Sequence, residues 1–206
     1  MKEDIHILAS ANIPTGFGDF QMKVFGVDDN EYSPHIALIS KELNISNPVL
    51  VRVHSECITG DLFWSKRCDC GQQLNESMRR ISEEGGVLVY LRQEGRGIGI
   101  INKLKAYNLQ DNGLDTAEAN IALGFPIDQR EFNVAIKILN ELGITRIKLL
   151  TNNPEKVSAM NTTTIDVVTR EKIIIPPCSD NLRYLRTKQN EMGHMLDMDV
   201  GEKAKV

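Results

Sequence analysis

The chain lacks any long apolar run. No stretch approaches the roughly 18 consecutive apolar residues that a membrane-spanning helix needs, and the opening MKEDIHILAS holds no apolar core of the kind a signal peptide carries. A cytoplasmic, reduced setting is therefore expected. A basic run is missing too. The 24 Lys and Arg stand against 28 Asp and Glu, a net charge of −4, which argues against a partner held through bulk charge, nucleic acid above all. Repeats and low-complexity segments are absent, and no linker is long or polar enough to mark a boundary. The 206 residues are read as one domain, 1–206. Cysteine is scarce, with four residues, yet Cys57, Cys68 and Cys70 crowd into one short stretch. In a reducing compartment clustered cysteines bind metal or do chemistry more often than they form disulfides. Cys178, in PPCSD, stands apart as a plain thiol.

What is present is an ordered change of period. IHILASA, FQMKVFGV, HIALIS and VLVRVH are short β-type runs separated by Gly, Pro, Asn and Asp. From residue 70 helical and strand patterns alternate. CGQQLNESMRRISEEGG carries Leu74, Met78 and Ile81 at helical spacing. VLVYLRQ reads as a buried strand, IINKLKAYNLQDNG as a helix and QREFNVAIKILNELG as an amphipathic helix. RIKLLT and IDVVT are strands around a short helix in NPEKVSAM, and NLRYLRTKQNEMGHML is a last helix interrupted near Gly193. This order predicts an α/β fold: a mixed sheet covered by helices on both faces, of the three-layer α/β/α type, with a strand-rich N-terminal part.

The cysteines are spaced C-x10-C-x-C, and the C-x2-C knuckles of zinc fingers are absent. Structural zinc closes with four protein ligands, whereas three ligands leave a position for water, the catalytic pattern. His54, Cys178 or a nearby carboxylate could supply a fourth ligand, so both readings stay open on spacing alone. Just upstream, RVHSE places Arg52, His54 and Glu56 at a strand end, beside the first cysteine.

RQEGRGIGIINK follows a strand and opens a helix. Its spacing fits neither G-x-x-x-x-G-K-[ST] nor G-x-G-x-x-G, which excludes the usual NTPase and dinucleotide motifs. Its alternating glycines can still bring backbone N–H groups to an anion, and Arg92 and Arg96 are bidentate phosphate partners by type. In LLTNNPEK, Thr151 and Asn152 can bond a base or phosphate, Lys156 can reach an anion, and Asn153 is read as a helix cap. Asp128 and Arg130 are placed around the start of the amphipathic helix, where a cap and a solvated face compete with a functional reading.

In this order RVHSECITGD, RCDCG, RQEGRGIGIINK, DTAEAN, GFPIDQR, LLTNNPEK and YLRTKQNEMGH closely resemble GTP cyclohydrolase II, over roughly residues 10–196. The resemblance implies a zinc enzyme of riboflavin biosynthesis that opens the imidazole ring of GTP, expels C8 as formate and releases pyrophosphate. It implies a homodimer that also needs Mg²⁺, and a stand-alone cyclohydrolase with no preceding synthase domain. Carried over by motif, Cys57, Cys68 and Cys70 match zinc ligands. Arg52, Val53, His54, Ser55, Glu56, Gln73, Glu94, Gly95, Arg96, Thr116, Thr151 and Lys156 match GTP-binding positions. Asp128 matches the general acid/base, Arg130 the nucleophile toward the α-phosphorus, and Tyr107 a residue near the guanine ring. Segments 158–168 and 173–181 depart from the family pattern. The competing class is a zinc-stabilised nucleotide-binding module without turnover; a zinc-ribbon nucleic-acid binder fits the acidic charge poorly.

Overall fold

The structure is a computed structural model that describes residues 5–161 and 164–196. A seven-stranded sheet runs through it in the order β1-β2-β3-β5-β4-β6-β7. Strands β1 (His6–Thr15), β2 (Gly18–Gly26) and β3 (His35–Ser40) form an antiparallel meander. β3 also pairs antiparallel with β5 (Gly86–Leu91). β5, β4 (Val49–Ser55), β6 (Arg146–Leu150) and β7 (Asp166–Glu171) are mutually parallel.

The burial pattern follows the topology. β4 and β5 are covered on both faces and read as near-continuous apolar runs, as parallel strands do. Along β4 the faces alternate. Val49, Val51 and Val53 join Val87, Val89, Ile147 and Leu149 beneath helix α5 (Asn133–Glu141), which buries Ala135, Ile136, Ile138 and Leu139. Leu50 joins Phe20, Leu88 and Leu150 on the other face, against Met78 and Ile81 of helix α2 (Cys70–Glu84). Each fully buried side chain of this kind contributes about 1.5–3 kcal/mol. The expected mixed sheet between helical layers is therefore observed. The same alternation sends Arg52 and His54, two of the three polar residues of β4, to the α2 face toward the strand's C-terminal end.

Among the described residues there are five further α-helices: α1 (Ile58–Asp61), α3 (Gly99–Asp111), α4 (Thr116–Ala122), α6 (Pro154–Asn161) and α7 (Leu182–Met192). α7 ends where Gly193 turns left-handed, at φ 63°, the break expected there. α4 is absent from the sequence reading, although its capping box is legible: Asp115 Oδ1 accepts from the Glu118 N–H at 2.8 Å and Glu118 Oε2 from the Asp115 N–H at 2.8 Å. α5 begins at Asn133 rather than at Gln129. The Gln129 N–H donates to the Arg96 carbonyl at 3.0 Å, and Asp128 accepts from the Arg130 N–H at 3.0 Å, so residues 128–131 belong to a loop. Of the divergent segment 158–168, residues 162–163 lie outside the described residues. In the other, 173–181, Asn152 brackets buried Ile173, donating to its carbonyl at 2.6 Å and accepting from its N–H at 3.2 Å.

β5 and β6 flank β4 on opposite sides. The chain leaving the C-terminal ends of these strands therefore diverges, and such a divergence opens a crevice where α/β proteins bind ligands.

Candidate active site

Two glycines let the thiols converge. At the first end of this crevice the loop after β4 and the start of α2 bring Cys57, Cys68 and Cys70 together, their sulfurs all within 4.8 Å of one another. A Cβ on Gly60 would lie 2.9 Å from Cys68 Sγ and 3.1 Å from Cys57 Sγ, and one on Gly71 would lie 2.2 Å from the Gly60 carbonyl. All three thiols are reduced, and no fourth His, Cys, Asp or Glu joins them among the described residues. Hydrogen bonds from Cys68 and Cys70, with Lys103 nearby, pull the Cys57 thiol far below its ordinary range. The bond to Cys57 pushes Cys68 up to about 11, and Cys70 rises for the same reason, deepened by burial. One thiolate thus forms readily and suppresses its neighbours; a divalent cation removes that repulsion. The donor set, the gap that Gly60 keeps open and the missing fourth protein ligand are consistent with zinc.

A shell of fixed charges holds this end in place. Lys103 Nζ lies 3.1 Å from Cys57 Sγ and 2.7 Å from Glu94 Oε1. Glu94 also accepts from the N–H groups of Ile58 at 2.6 Å and Gly95 at 2.7 Å, tying the glycine-rich turn to the metal loop. Buried Asp61 accepts from the Cys57 N–H at 3.0 Å and the Tyr90 hydroxyl at 2.8 Å, and lies 3.1 Å from His54 Nε2. The Tyr107 hydroxyl is 3.4 Å from the Thr59 hydroxyl. Burial raises the Tyr107 pKa, which makes it a hydrogen-bond donor rather than a base.

The second end of the crevice is cationic. Arg52, Arg96, Arg130, Lys156 and Lys188 line the same cavity of about 1170 Å³, open solvent at its mouth included. Arg130 grips Asp128 with two guanidinium nitrogens, Nε lying 2.9 Å from Oδ1 and Nη2 bonding Oδ2. Burial opposes both charges, but each partner outweighs it: the Asp128 pKa is lowered and the Arg130 pKa raised. Lys156 donates to the neutral Val53 carbonyl at 2.7 Å. Burial first, then Arg52, Arg130 and Lys188, push its pKa well below the ordinary lysine value. Arg52 donates to the Leu150 carbonyl at 3.0 Å and to Gln73 Oε1 at 2.6 Å, and burial lowers it to about 10. Asp69, between two of the thiols, links the ends: it bonds Gln73 and accepts from Lys188 Nζ at 3.1 Å. Burial works against its carboxylate, but Lys188 and Gln73 hold its pKa below the ordinary value.

Comparison with known proteins gives this pairing of ends a family. GTP cyclohydrolase II matches residues 6–172 of the chain. The chain belongs to the GTP cyclohydrolase II family. It is 48% identical to a GTP cyclohydrolase-2 of Neisseria meningitidis over 197 residues, covering 95% of this chain and 99% of that protein. It is 48% identical to a riboflavin biosynthesis protein RibBA of Chlorobium phaeovibrioides over 93% of this chain and 47% of that longer protein. A solved structure from A. baumannii, titled RibBX, a two domain 3,4-dihydroxy-2-butanone 4-phosphate synthase, aligns with 82% of this chain and 41% of that chain at a TM-score of 0.44 and 21% identity.

Of the positions carried over from GTP cyclohydrolase II, Arg52, His54, Ser55, Glu56, Gln73, Glu94, Gly95, Arg96, Thr116, Thr151, Lys156, Tyr107, Arg130 and the three cysteines line the one cavity. Val53 does not: its side chain faces the α5 core and only its carbonyl reaches Lys156. Asp128 reaches the cavity through Arg130. His54 is occupied by Asp61, and Glu56 pairs with Arg92 at 3.0 Å. Asn153 caps α6, its Oδ1 accepting from the Glu155 N–H at 2.8 Å, as expected. Sequence reasoning missed Asp61, Asp69, Lys103 and Lys188. Asp61 stands inside RVHSECITGD, Asp69 inside RCDCG, Lys103 inside RQEGRGIGIINK and Lys188 inside YLRTK, but their buried pairings arise only when separate segments meet.

Proposed function

We propose that this chain converts GTP into 2,5-diamino-6-ribosylamino-4(3H)-pyrimidinone 5′-phosphate, formate and pyrophosphate, the first committed step of riboflavin biosynthesis. The observation that carries the proposal is a single cavity with a three-thiol cluster at one end and a cluster of cations at the other. A nucleotide needs both: a hydrolytic centre for its base and counter-charge for its phosphates. The reaction consumes two waters at C8, which leaves as formate, and one at phosphorus.

A zinc ion held by Cys57, Cys68 and Cys70 would supply a Lewis acid that brings water toward ionisation near neutral pH. The remaining work falls to side chains. Lys103 offsets thiolate charge at Cys57, and Glu94 fixes Lys103. Tyr107, protonated, is proposed to donate a hydrogen bond at the guanine ring. Arg52, Arg96, Lys156 and Arg130 are proposed to neutralise the triphosphate, with Mg²⁺ entering alongside it. Asp128 and Arg130 are proposed to act at the α-phosphorus as base and nucleophile: Asp128 takes a proton from the guanidinium, a nitrogen–phosphorus bond forms as the bond to pyrophosphate breaks, and water then cleaves the adduct. Ordinary pKa values near 3.9 and at least 12.5 set a floor of about 12 kcal/mol for that proton transfer, and the lowered Asp128 and raised Arg130 values add to it. A turnover of about 1 s⁻¹ allows roughly 17 kcal/mol in all, so the step fits only if phosphorus attack adds little more. The charged, bidentate pair favours a second reading, Arg130 as an electrostatic clamp. A homodimer is proposed on the family pattern. Among the described residues no helix is long and apolar enough to cross a membrane.

Incubation of the pure protein with GTP and Mg²⁺, with formate and pyrophosphate assayed separately, tests the function. Both products are expected. Bound GTP with neither product would leave a nucleotide-binding module instead.

A further inference from the structure

The C-terminal segment supplies a wall of the cavity that the family match over 6–172 does not reach: Tyr184, Lys188, Met192, His194 and Leu196 all line it. Two backbone bonds staple this segment down. The His194 N–H donates to the Lys188 carbonyl at 3.0 Å, and the Met195 N–H to the Asn152 carbonyl at 2.9 Å, beside Thr151 and Lys156. The stapling turns the His194 ring into the cavity, where its Nδ1 is buried without a hydrogen-bond partner. A buried polar nitrogen left unpaired costs about 1–3 kcal/mol, so a ring held there by the backbone calls for a ligand atom.

We infer that His194 is a phosphate-binding residue of the nucleotide site, its imidazole closing the ring of cations at the triphosphate end and donating to a phosphate oxygen. The inference rests on the GTP reading of the cavity and extends it to a residue outside the motifs that carry phosphate contacts by resemblance. The groups that face His194 come from several elements: Lys188 from α7, Lys156 from α6, Arg96 from the glycine-rich turn and Arg130 from the loop before α5. Asp69 on Lys188 and Asp128 on Arg130 oppose them. Burial, then these four cations, holds the imidazole neutral, its pKa lowered to about 3. A bound triphosphate reverses that field and raises the pKa. Binding then takes up a proton between about 3 and the higher bound-state value. The contribution of His194 to affinity is therefore full only below about 3, falls across that window and is lost as pH rises through the bound-state pKa.

The test uses zinc-loaded protein and a GTP analogue with a methylene bridge between the α- and β-phosphorus atoms. Its affinity is measured from pH 6 to 9 for the wild type, His194→Asn and His194→Gln, and the ring signals of His194 are followed by NMR in the wild type. Loss of a charge-assisted hydrogen bond predicts binding about 10- to 100-fold weaker in both variants at pH 6. The gap should close toward pH 9, and the wild-type His194 resonances should move to imidazolium positions on binding. Binding with unmoved His194 resonances, or variants that match the wild type at pH 6, overturns the inference, and the NMR arm stands even if a variant misfolds. Failure of the wild type to bind the analogue sinks the GTP reading itself and takes this inference with it.

Discussion

The two ends of the cavity differ in how much of their chemistry is already satisfied. At the thiol end each fixed charge has a partner, although His54 Nδ1 is buried without one: Glu94 has Lys103, and Asp61 has His54, Tyr90 and the Cys57 amide. At the phosphate end Lys156 has a carbonyl in place of a counter-ion and His194 Nδ1 has nothing. A site built to hold a small ion with fixed geometry has its surroundings complete before the ion arrives. A site built for a polyanion instead holds its cations close together, at a cost in stability that the anion relieves on binding. Damage at the first end should therefore remove the metal, whereas damage at the second should leave the metal and remove binding or turnover.

The largest effect that tests this division lies at the thiols. Cys57→Ser, Cys68→Ser and Cys70→Ser should each lose zinc, read by elemental analysis, and formate release should fall by about 10³-fold or more, the scale for loss of an essential member of a catalytic unit. Undiminished formate from protein shown to be metal-free would sink the zinc-assisted reading.

Arg130 comes next and divides the other way. Arg130→Ala and Arg130→Lys should keep their zinc, because Arg130 touches Asp128 and no thiol. If Arg130 forms the covalent adduct, both should lose turnover by about 10³-fold, and quenched wild-type enzyme should carry a guanylyl mass on the Arg130 peptide. If it is a clamp, the lysine retains charge without the fork geometry. Near-normal pyrophosphate release from the lysine variant, with no adduct on the wild type, would settle the clamp.

The division also explains what the sequence made legible. Strands and most helices follow from period, because alternating and helical patterns are local: VLVRVH and QREFNVAIKILNELG become β4 and most of α5. The cysteine cluster was legible because its ligands are neighbours in the chain and their type restricts the chemistry. The second sphere was not. Asp69 is recognisable as a link only when Lys188, far along the chain, is laid against it. Asp128 looked like a helix cap because caps are a local rule; its bond to Arg130 and the tie from Gln129 to Arg96 override it. Single residues such as His54 were ambiguous for the same reason, since the partner, Asp61, declares itself only once α1 folds back on β4.

A smaller effect is expected where the ends meet. Asp69→Asn keeps the shape of the link and removes its charge, so Lys188 loses its counter-ion while the thiols stay in place. Outer-sphere losses of this kind weaken metal binding by about 10- to 100-fold. The variant should therefore need more zinc for half-maximal formate release and more GTP for half-saturation. A change in only one of the two would show that Asp69 serves one end and does not couple them.

The smallest expected effect is none, at Cys178. It is exposed, and its sulfur approaches the Lys66 carbonyl, at 4.0 Å. It lies outside the three-sulfur cluster, although the spacing alone left it open as a fourth ligand. Cys178→Ser should keep one zinc per chain and full formate and pyrophosphate release. Loss of zinc in this protein would mean that the 173–181 segment swings in to close the site with four sulfurs. The metal would then be structural, and the thiol end would no longer be the end that opens the ring.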